Sequence, residues 1–250
     1  MTSLGVELDQ VRDSNARLLA TVSGLDGSQL RDASRLPGWS RAHVVVHLAR
    51  NADAQLRMID AALRGESVEQ YPGGEQGRAR EIEEGVTAGA ETIVAGLVAS
   101  TAALEQRWAT LPEQAWELET VTLRFRRTVR EGIAARWREV EIHHVDLGCG
   151  YEPAAWPVEF VETFLERTIA RLPARMPGAG ESGLCWRLVD RDTMRSWRVD
   201  GASVRGGDEA VDAEVSGSGW QLLAWLVGRG DYGLEVTGEA DRLLDLAAYG

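Results

Sequence analysis

The chain has 250 residues, of which 44% are hydrophobic and 26% charged, and its formal net charge is −12. A chain of this size can bury the core of one large domain or two modest ones, and its acidic charge disfavours nucleic acids and anionic membrane surfaces as partners. All of its 27 Lys and Arg residues are arginines, which excludes Schiff-base chemistry on a lysine.

The sequence shows no targeting or membrane-spanning segment. The N-terminal stretch is acidic and lacks a signal-type apolar core, and no apolar run reaches the roughly 18 residues that span a bilayer. We therefore expect a cytoplasmic protein. Its two cysteines, Cys149 and Cys185, form no CxxC pair and are expected to be reduced. Cys149, close to a predicted helix end, is considered as a nucleophile, but a small residue in a turn is the favoured interpretation.

The first 150 residues have the apolar period of amphipathic helices. Helices are predicted over residues 4–24, 41–65, 78–108 and 128–145, with a loop over 66–77 and a short extended segment over 117–125. Ser40 is the expected N-cap of the second helix, and His43 occupies the position of its capping partner. Four long amphipathic helices predict an up-and-down bundle.

The last 100 residues have a different pattern. One more helix is predicted over residues 153–172, followed by a glycine-rich break at 177–180. The alternating segments LCWRLVD, RSWRVD, AEVSGS and GLEVTGE then predict the strands of a small antiparallel sheet, with a short helix in WQLLAWLVGRG. We therefore predict an α+β fold, with a metal-binding four-helix bundle over residues 1–150 and an α+β domain over residues 151–250.

The four histidines occur as two pairs, one in each of two predicted bundle helices: His43 with His47, and His143 with His144. Glu139 precedes His143 by four residues, so both side chains leave the same face of the helix. With an imidazole from a facing helix they form a set of three N/O ligands. A set of three with an open fourth position is typical of a catalytic Zn²⁺ or a similar divalent ion.

Two details of this predicted metal site stay open on the residues alone. His47 follows three valines and is expected to face the core, whereas His43 lies in the first turn, but the spacing allows either as a ligand. Asp146, three residues after His143, either orients an imidazole or is an ordinary residue of the helix end.

Two stretches, LPGWSRAHVVVHLARNADA and WREVEIHHVDLG, resemble the mycothiol-dependent maleylpyruvate isomerase family. VSGSGWQLLAWLVGRG is similar to the C-terminal Ser-Gly…Gly-Arg-Gly segment of that family, and EVTGEA is similar to its terminal strand. The resemblance implies a DinB-like bundle followed by a small α+β domain. It implies that His47, Glu139 and His143 are the metal ligands, and that His144 occupies a variable position.

The resemblance also implies an activity. A zinc-dependent cis–trans isomerase of this type converts maleylpyruvate to fumarylpyruvate in the gentisate pathway of aromatic catabolism, with mycothiol as cofactor. The implied partners are a small dicarboxylate substrate and a low-molecular-weight thiol. Arg78, in GRAREIEEG, and Arg229, in Gly-Arg-Gly, are implied as catalytic residues, with Arg80 as an alternative to Arg78. Arg229 is also implied in cofactor binding. Trp39 is a further candidate for cofactor binding, because it starts the helix that carries His47 and is expected to lie near the site.

Two other functions remain as alternatives. A mycothiol S-transferase would use the same ligands and the same activated thiolate, but it would consume the thiol. A metal-stabilised binding module would need a closed site with four ligands. The sequence offers three good ligands, and only His43 could be the fourth. The isomerase is favoured because Arg229 lies in a substantial second domain. No sequence feature indicates an oligomeric state.

Overall fold

The computed structural model describes residues 3–175, 185–200, 203–206 and 209–238. The chain divides into two compact units, Met1–Tyr151 and Glu152–Gly250. None of the described helices is both long and apolar enough to cross a membrane. The predicted break at 177–180 lies outside the described residues.

The first unit is built around four long helices. These are α1 (Leu4–Ser23), α3 (Arg41–Leu63), α5 (Ala90–Ala109) and α6 (Val129–Asp146), and the shorter α2 (Gly27–Arg31) and α4 (Gly74–Gly85) lie between them in the chain. α1 packs against α5 and α6, and α3 packs against the same two helices. Helices α1, α3 and α6 closely match their predicted bounds, since their apolar faces and end signals agree.

The prediction of one continuous helix over 78–108 is wrong, because this part of the chain forms two separate helices, α4 and α5. The amide and hydroxyl of Thr87 both donate to the carbonyl of Glu84, which closes the end of α4. Gly89 then has extended backbone angles as the N-cap of α5. α4 also begins at Gly74, inside the predicted loop. A Cβ on Gly85 would lie 2.5 Å from Val46 Cγ1, so this glycine allows α4 to pack closely on α3.

Capping interactions set the starts of the two helices that carry the candidate ligands. The amide of Ser40 donates to Nδ1 of His43 at 3.2 Å, which confirms the predicted cap of α3. At the start of α6, Thr128 and Glu131 form a reciprocal capping box. This box directly follows a two-stranded hairpin, β1 (Glu119–Val121) and β2 (Arg126–Thr128). The hairpin is therefore joined to α6 without a flexible linker.

A buried polar network connects α1 with the C-terminal half of α6. The fully buried carboxylate of Glu141 accepts hydrogen bonds from Ser14, from Arg17 at 2.7 Å and from the hydroxyl of Tyr151 at 2.5 Å. Trp137 Nε1 donates to the hydroxyl of Ser14 at 2.9 Å. All of these partners lie within the first unit.

The second unit combines helices with a five-stranded sheet. Its helices are α7 (Val158–Ile169), α8 (Leu172–Arg175) and α9 (Gly219–Leu226), and its strands are β3 (Trp186–Asp190), β4 (Arg195–Val199), β5 (Val204–Arg205), β6 (Ala213–Gly217) and β7 (Glu235–Gly238). The strand order is β5-β4-β3-β6-β7. The predicted α+β class is confirmed, but the expectation of a purely antiparallel sheet is wrong, because β3 and β6 pair in parallel.

Candidate metal centre

Three side chains from two helices bring nitrogen and oxygen atoms together. His47 Nε2 lies 2.9 Å from Glu139 Oε2, and His143 Nε2 lies 3.5 Å from the same oxygen. The candidate ligand atoms of all three residues are within 4.8 Å of one another. Ligands placed about 2.0–2.1 Å from a tetrahedral Zn²⁺ are separated by roughly 3.3 Å. The cluster therefore fits a small divalent ion with little movement.

The position of each ligand follows from its helix. Glu139 and His143 are one turn apart on α6, so they project from the same face. His47 is 2% exposed on α3, which packs against α6. The rings of His47 and His143 meet edge to face, with centroids 4.7 Å apart and planes at 86°. Glu139 is the more accessible ligand, with 27% of its side chain exposed.

Burial and mutual contacts adjust the protonation of these groups. Burial lowers the pKa of His47 to about 4, although Glu139 favours its charged form. For Glu139, burial opposes the charged form, but hydrogen bonds from His143 and His47 outweigh it and lower the pKa well below its usual value. Burial also opposes the charged form of His143, yet Asp146 and Glu139 raise its pKa. At neutral pH, His47 is therefore neutral and Glu139 ionised, which are the forms in which an imidazole and a carboxylate can bind a metal.

Arg78 and Trp39 lie beside His47 of the cluster. The guanidinium of Arg78 is 3.2 Å from His47 Nδ1, and its Cζ is 5.8 Å from the ring centroid of Trp39. The ring of Trp39 in turn lies 5.8 Å from that of His47. Arg80, two residues after Arg78, is exposed. Of these two arginines, Arg78 is the one that contacts the cluster.

The comparisons with known proteins identify the family of the chain. The family described as mycothiol maleylpyruvate isomerase N-terminal domain matches residues 11–148, which is more than half of the chain. The chain belongs to this family. The family membership predicted from the sequence motifs is thereby confirmed.

Two solved structures are similar to this family member over nearly its whole length. One is described as the mycothiol-dependent maleylpyruvate isomerase, with 27% identity, a TM-score of 0.82 and coverage of 94% of this chain and 93% of that chain. The other is a mutant of a mycothiol-dependent maleylpyruvate isomerase with one histidine replaced by alanine, with 26% identity and the same TM-score and coverage. No curated protein matches the sequence. The predicted isomerase class agrees with both solved structures.

The two remaining histidines of this family member are engaged away from the cluster. His43 stacks on Trp39, with centroids 6.0 Å apart, and its Nδ1 is occupied by the cap of α3. His144 stacks on Tyr151 with centroids 3.9 Å apart, and its Nε2 is 2.8 Å from Thr21 Oγ1. Burial lowers the pKa of His144 to about 4. The helical spacing allowed His43 as a ligand in place of His47. In the structure, His43 does not belong to the cluster.

Arg229 lies in the second unit, in the turn that follows α9. Its amide donates to the carbonyl of Ala224 at 2.8 Å, and its guanidinium donates to the carbonyl of Val227 at 2.7 Å. The flanking Gly228 and Gly230 have positive φ angles of 72° and 110°, which glycine adopts without strain. The Gly-Arg-Gly pattern of the family thus corresponds to a tight turn that presents the arginine.

Neither cysteine has the surroundings of a nucleophile. Burial raises the pKa of the Cys149 thiol, and its Sγ lies 3.5 Å from the carbonyl of Leu147. Burial also raises the pKa of Cys185 in the second unit. Reactive cysteines have lowered pKa values, so any thiolate chemistry in this family member would need an external thiol.

Three polar residues near the cluster were not singled out by the sequence. Tyr71 and Arg136 are both buried, and Arg136 donates to the carbonyl of Leu48 at 2.7 Å and to Asn51 at 3.0 Å. Arg127 is on β2. Arg136 had a detectable signal, because it lies three residues before Glu139 and so near the same helical face. Tyr71 and Arg127 had none, since each comes from an irregular segment or a short strand.

Asp146 accepts a hydrogen bond from His143 Nδ1 at 2.8 Å, which leaves His143 Nε2 directed at the cluster. We expect Asp146→Asn to lower zinc affinity by about 10–100-fold, as for other carboxylates that orient a ligating histidine. Competition with a chromophoric chelator measures this affinity. Asp53→Asn, which removes a carboxylate paired with Arg50 on α3, serves as the matched control and should bind zinc normally. Equal affinities in the two variants would contradict the orienting role.

Proposed function

We propose that the chain is a metal-dependent, mycothiol-assisted cis–trans isomerase that converts maleylpyruvate to fumarylpyruvate. The observation that carries this proposal is the His47–Glu139–His143 cluster in a chain of this family. Zn²⁺ is the metal that two imidazoles, one carboxylate and an open fourth position suit best. The reaction would take place in the cytoplasm, where small thiols are kept reduced.

The chemistry of the substrate explains the need for a thiol. Rotation about the cis double bond requires that bond to become single for a time. A thiolate that adds to the alkene carbon pushes the π electrons into the conjugated carbonyl as an enolate, the new single bond rotates, and elimination of the thiolate restores the double bond in the trans form. The thiol is regenerated. A bound divalent ion supplies the condition for the first step, because it lowers the pKa of a thiol to allow a thiolate at neutral pH.

Arg78 is suited to hold an anion beside this centre. In the structure its guanidinium donates to His47 Nδ1, so that Nε2 carries the proton of the neutral ring. If His47 bound a metal through Nε2, its proton would be on Nδ1. That N–H group would then face the N–H groups of Arg78 and could not accept a hydrogen bond from them. The Arg78 guanidinium would then be available for a carboxylate, which it can bind through two parallel hydrogen bonds.

Arg229 and Trp39 complete the proposed set. Arg229 is proposed to hold a carboxylate of the substrate or a polar group of the thiol cofactor, and Trp39 to contact the cofactor from its position beside His47. Trp39 is half-buried between two histidines and under Arg78. An aromatic side chain in this place can both pack against a ligand and exclude water from the cluster.

The test follows maleylpyruvate by absorbance and identifies the product by NMR. Purified protein should form fumarylpyruvate only when both mycothiol and the metal are present. Removal of the metal with a chelator should abolish the activity, and added Zn²⁺ should restore it. Unchanged turnover after complete chelation would contradict the metal-dependent mechanism.

The same experiment must distinguish the isomerase from a mycothiol S-transferase. In that case the metal-loaded protein would leave maleylpyruvate unchanged, and would consume mycothiol stoichiometrically with an electrophile such as monobromobimane. Thiol concentration therefore has to be measured in the same reaction. An unchanged thiol concentration during maleylpyruvate turnover supports the isomerase.

A further inference from the structure

The hairpin before α6 places one of two adjacent arginines against the ligand-bearing helix. β1 and β2 pair in antiparallel register, with Thr120 opposite Arg127 and Val121 opposite Arg126. Successive residues of a strand point to opposite faces. Arg126 is exposed and pairs with Glu119 at 3.3 Å, whereas Arg127 is partly buried.

The guanidinium of Arg127 lies over Gly132 of α6. An added Cβ on Gly132 would lie 4.0 Å from Arg127 Nε and 3.4 Å from Gln55 Oε1. Gly132 precedes Glu139 by seven residues, so the two lie on one face of α6, separated by two turns or about 10 Å. Arg127 and the metal cluster therefore lie at two points along the same side of this helix.

The charge of Arg127 has no counter-ion among the described residues. Its Nε is buried without a hydrogen-bond partner, and no carboxylate of the described chain forms an ion pair with it. Two carboxylates favour the charged form of Arg127 through their negative charge. They are Glu139, which contacts both cluster histidines, and Glu131, which caps α6. Burial of the guanidinium lowers its pKa despite these charges. A partly buried cation without an ion pair is a favourable place for an anion, which would supply the missing partner.

Other polar groups continue from Arg127 toward the cluster. Tyr71 is 2% exposed, and burial and the charge of Glu139 raise the pKa of its hydroxyl, whereas Arg78 lowers it. The hairpin is held in place, because the amide of Leu123 at its tip donates to Gln70 Oε1 at 3.1 Å.

We propose that Arg127 binds the second carboxylate of the substrate, the one remote from the metal cluster. This inference rests on the proposed function for the identity of the substrate. In this arrangement, one carboxylate of the substrate lies at the cluster and Arg78, and the other lies at Arg127. Arg127 is then the residue that distinguishes a dicarboxylate from a monocarboxylate of the same shape.

The test measures binding separately from turnover. Calorimetry with the zinc-loaded protein compares pimelate, a dicarboxylate with the seven-carbon chain of maleylpyruvate, with heptanoate, the monocarboxylate of the same chain length. The wild type should prefer pimelate. Arg127→Gln should lose about 10–100-fold in pimelate affinity, as expected for a hydrogen-bonded ion pair, and should bind heptanoate as before. Arg126→Gln, the neighbour on the opposite face of the strand, is the matched control and should match the wild type with both probes.

Equal pimelate affinities of Arg127→Gln and Arg126→Gln would overturn the inference, and so would a wild type that does not discriminate between the two probes. If Arg127→Gln fails to fold, Arg127→Lys replaces it and should keep the preference with a several-fold lower pimelate affinity. Full affinity in Arg127→Lys would overturn bidentate binding. A wild type that discriminates through Arg127 but does not isomerise maleylpyruvate would refute the proposed function and leave the carboxylate site standing.

Discussion

His47→Ala is expected to lose bound zinc and to lose isomerase activity by more than about 10³-fold, beyond the 10–100-fold typical of residues that only orient a ligand. The reason is that His47 is the only ligand of the cluster that comes from α3, so its loss leaves two ligands on one helix. Metal content measured by mass spectrometry and kcat/KM measured on the same preparation check this prediction. Both should fall together.

His43→Ala is the matched control, because it removes the other imidazole of the same helix one turn earlier. His43 caps α3 and does not belong to the cluster. Its loss should lower the free energy of unfolding by about 1 kcal/mol, as for other N-terminal caps, and should leave the zinc content unchanged. Full zinc occupancy in His47→Ala, or metal loss in His43→Ala, would show that the ligand set is a different one.

The second large effect concerns stability and the buried carboxylate of Glu141. We expect Glu141→Ala to lower the free energy of unfolding by about 3–5 kcal/mol, since it removes the acceptor shared by Ser14, Arg17 and Tyr151. Urea unfolding followed by tryptophan fluorescence measures this loss, because Trp137 donates a hydrogen bond into the same network.

Two further variants separate the causes. Glu141→Gln keeps the shape and part of the hydrogen bonding, so its loss should be smaller than that of Glu141→Ala. Glu119→Ala removes a carboxylate that is paired with Arg126 but is 63% exposed, and should change stability very little. A stability of Glu141→Ala equal to that of Glu119→Ala would mean that water replaces the network without cost.

The bundle was accessible to sequence reasoning because its signals are local. The apolar period and the Ser40–His43 cap placed α3 correctly, and the three valines before His47 indicated that its side chain faces inward. Two of the three cluster residues lie on one helix face, and a spacing of four determines that placement. The third required only that two bundle helices face each other.

The misses come from interactions between distant segments. The break between α4 and α5 is short, and the close packing of α4 on α3 at Gly85 and Val46 joins residues far apart in the sequence. The parallel pairing of β3 with β6 leaves no mark on the alternation of either strand. The direction of Arg127 depends on a register between β1 and β2 that its neighbours in sequence do not specify.

The cluster joins positions far apart in the chain, since His47 and Glu139 are separated by 92 residues. An ion that binds only the folded chain stabilises it, by about 4 kcal/mol when its free concentration is a thousand times its dissociation constant. Chains without the ion unfold more often and are exposed to cellular proteases for longer. With zinc in the proposed site, a cell under zinc starvation would therefore contain fewer copies of this enzyme as well as less active ones, so that metal supply would set its abundance and its turnover together.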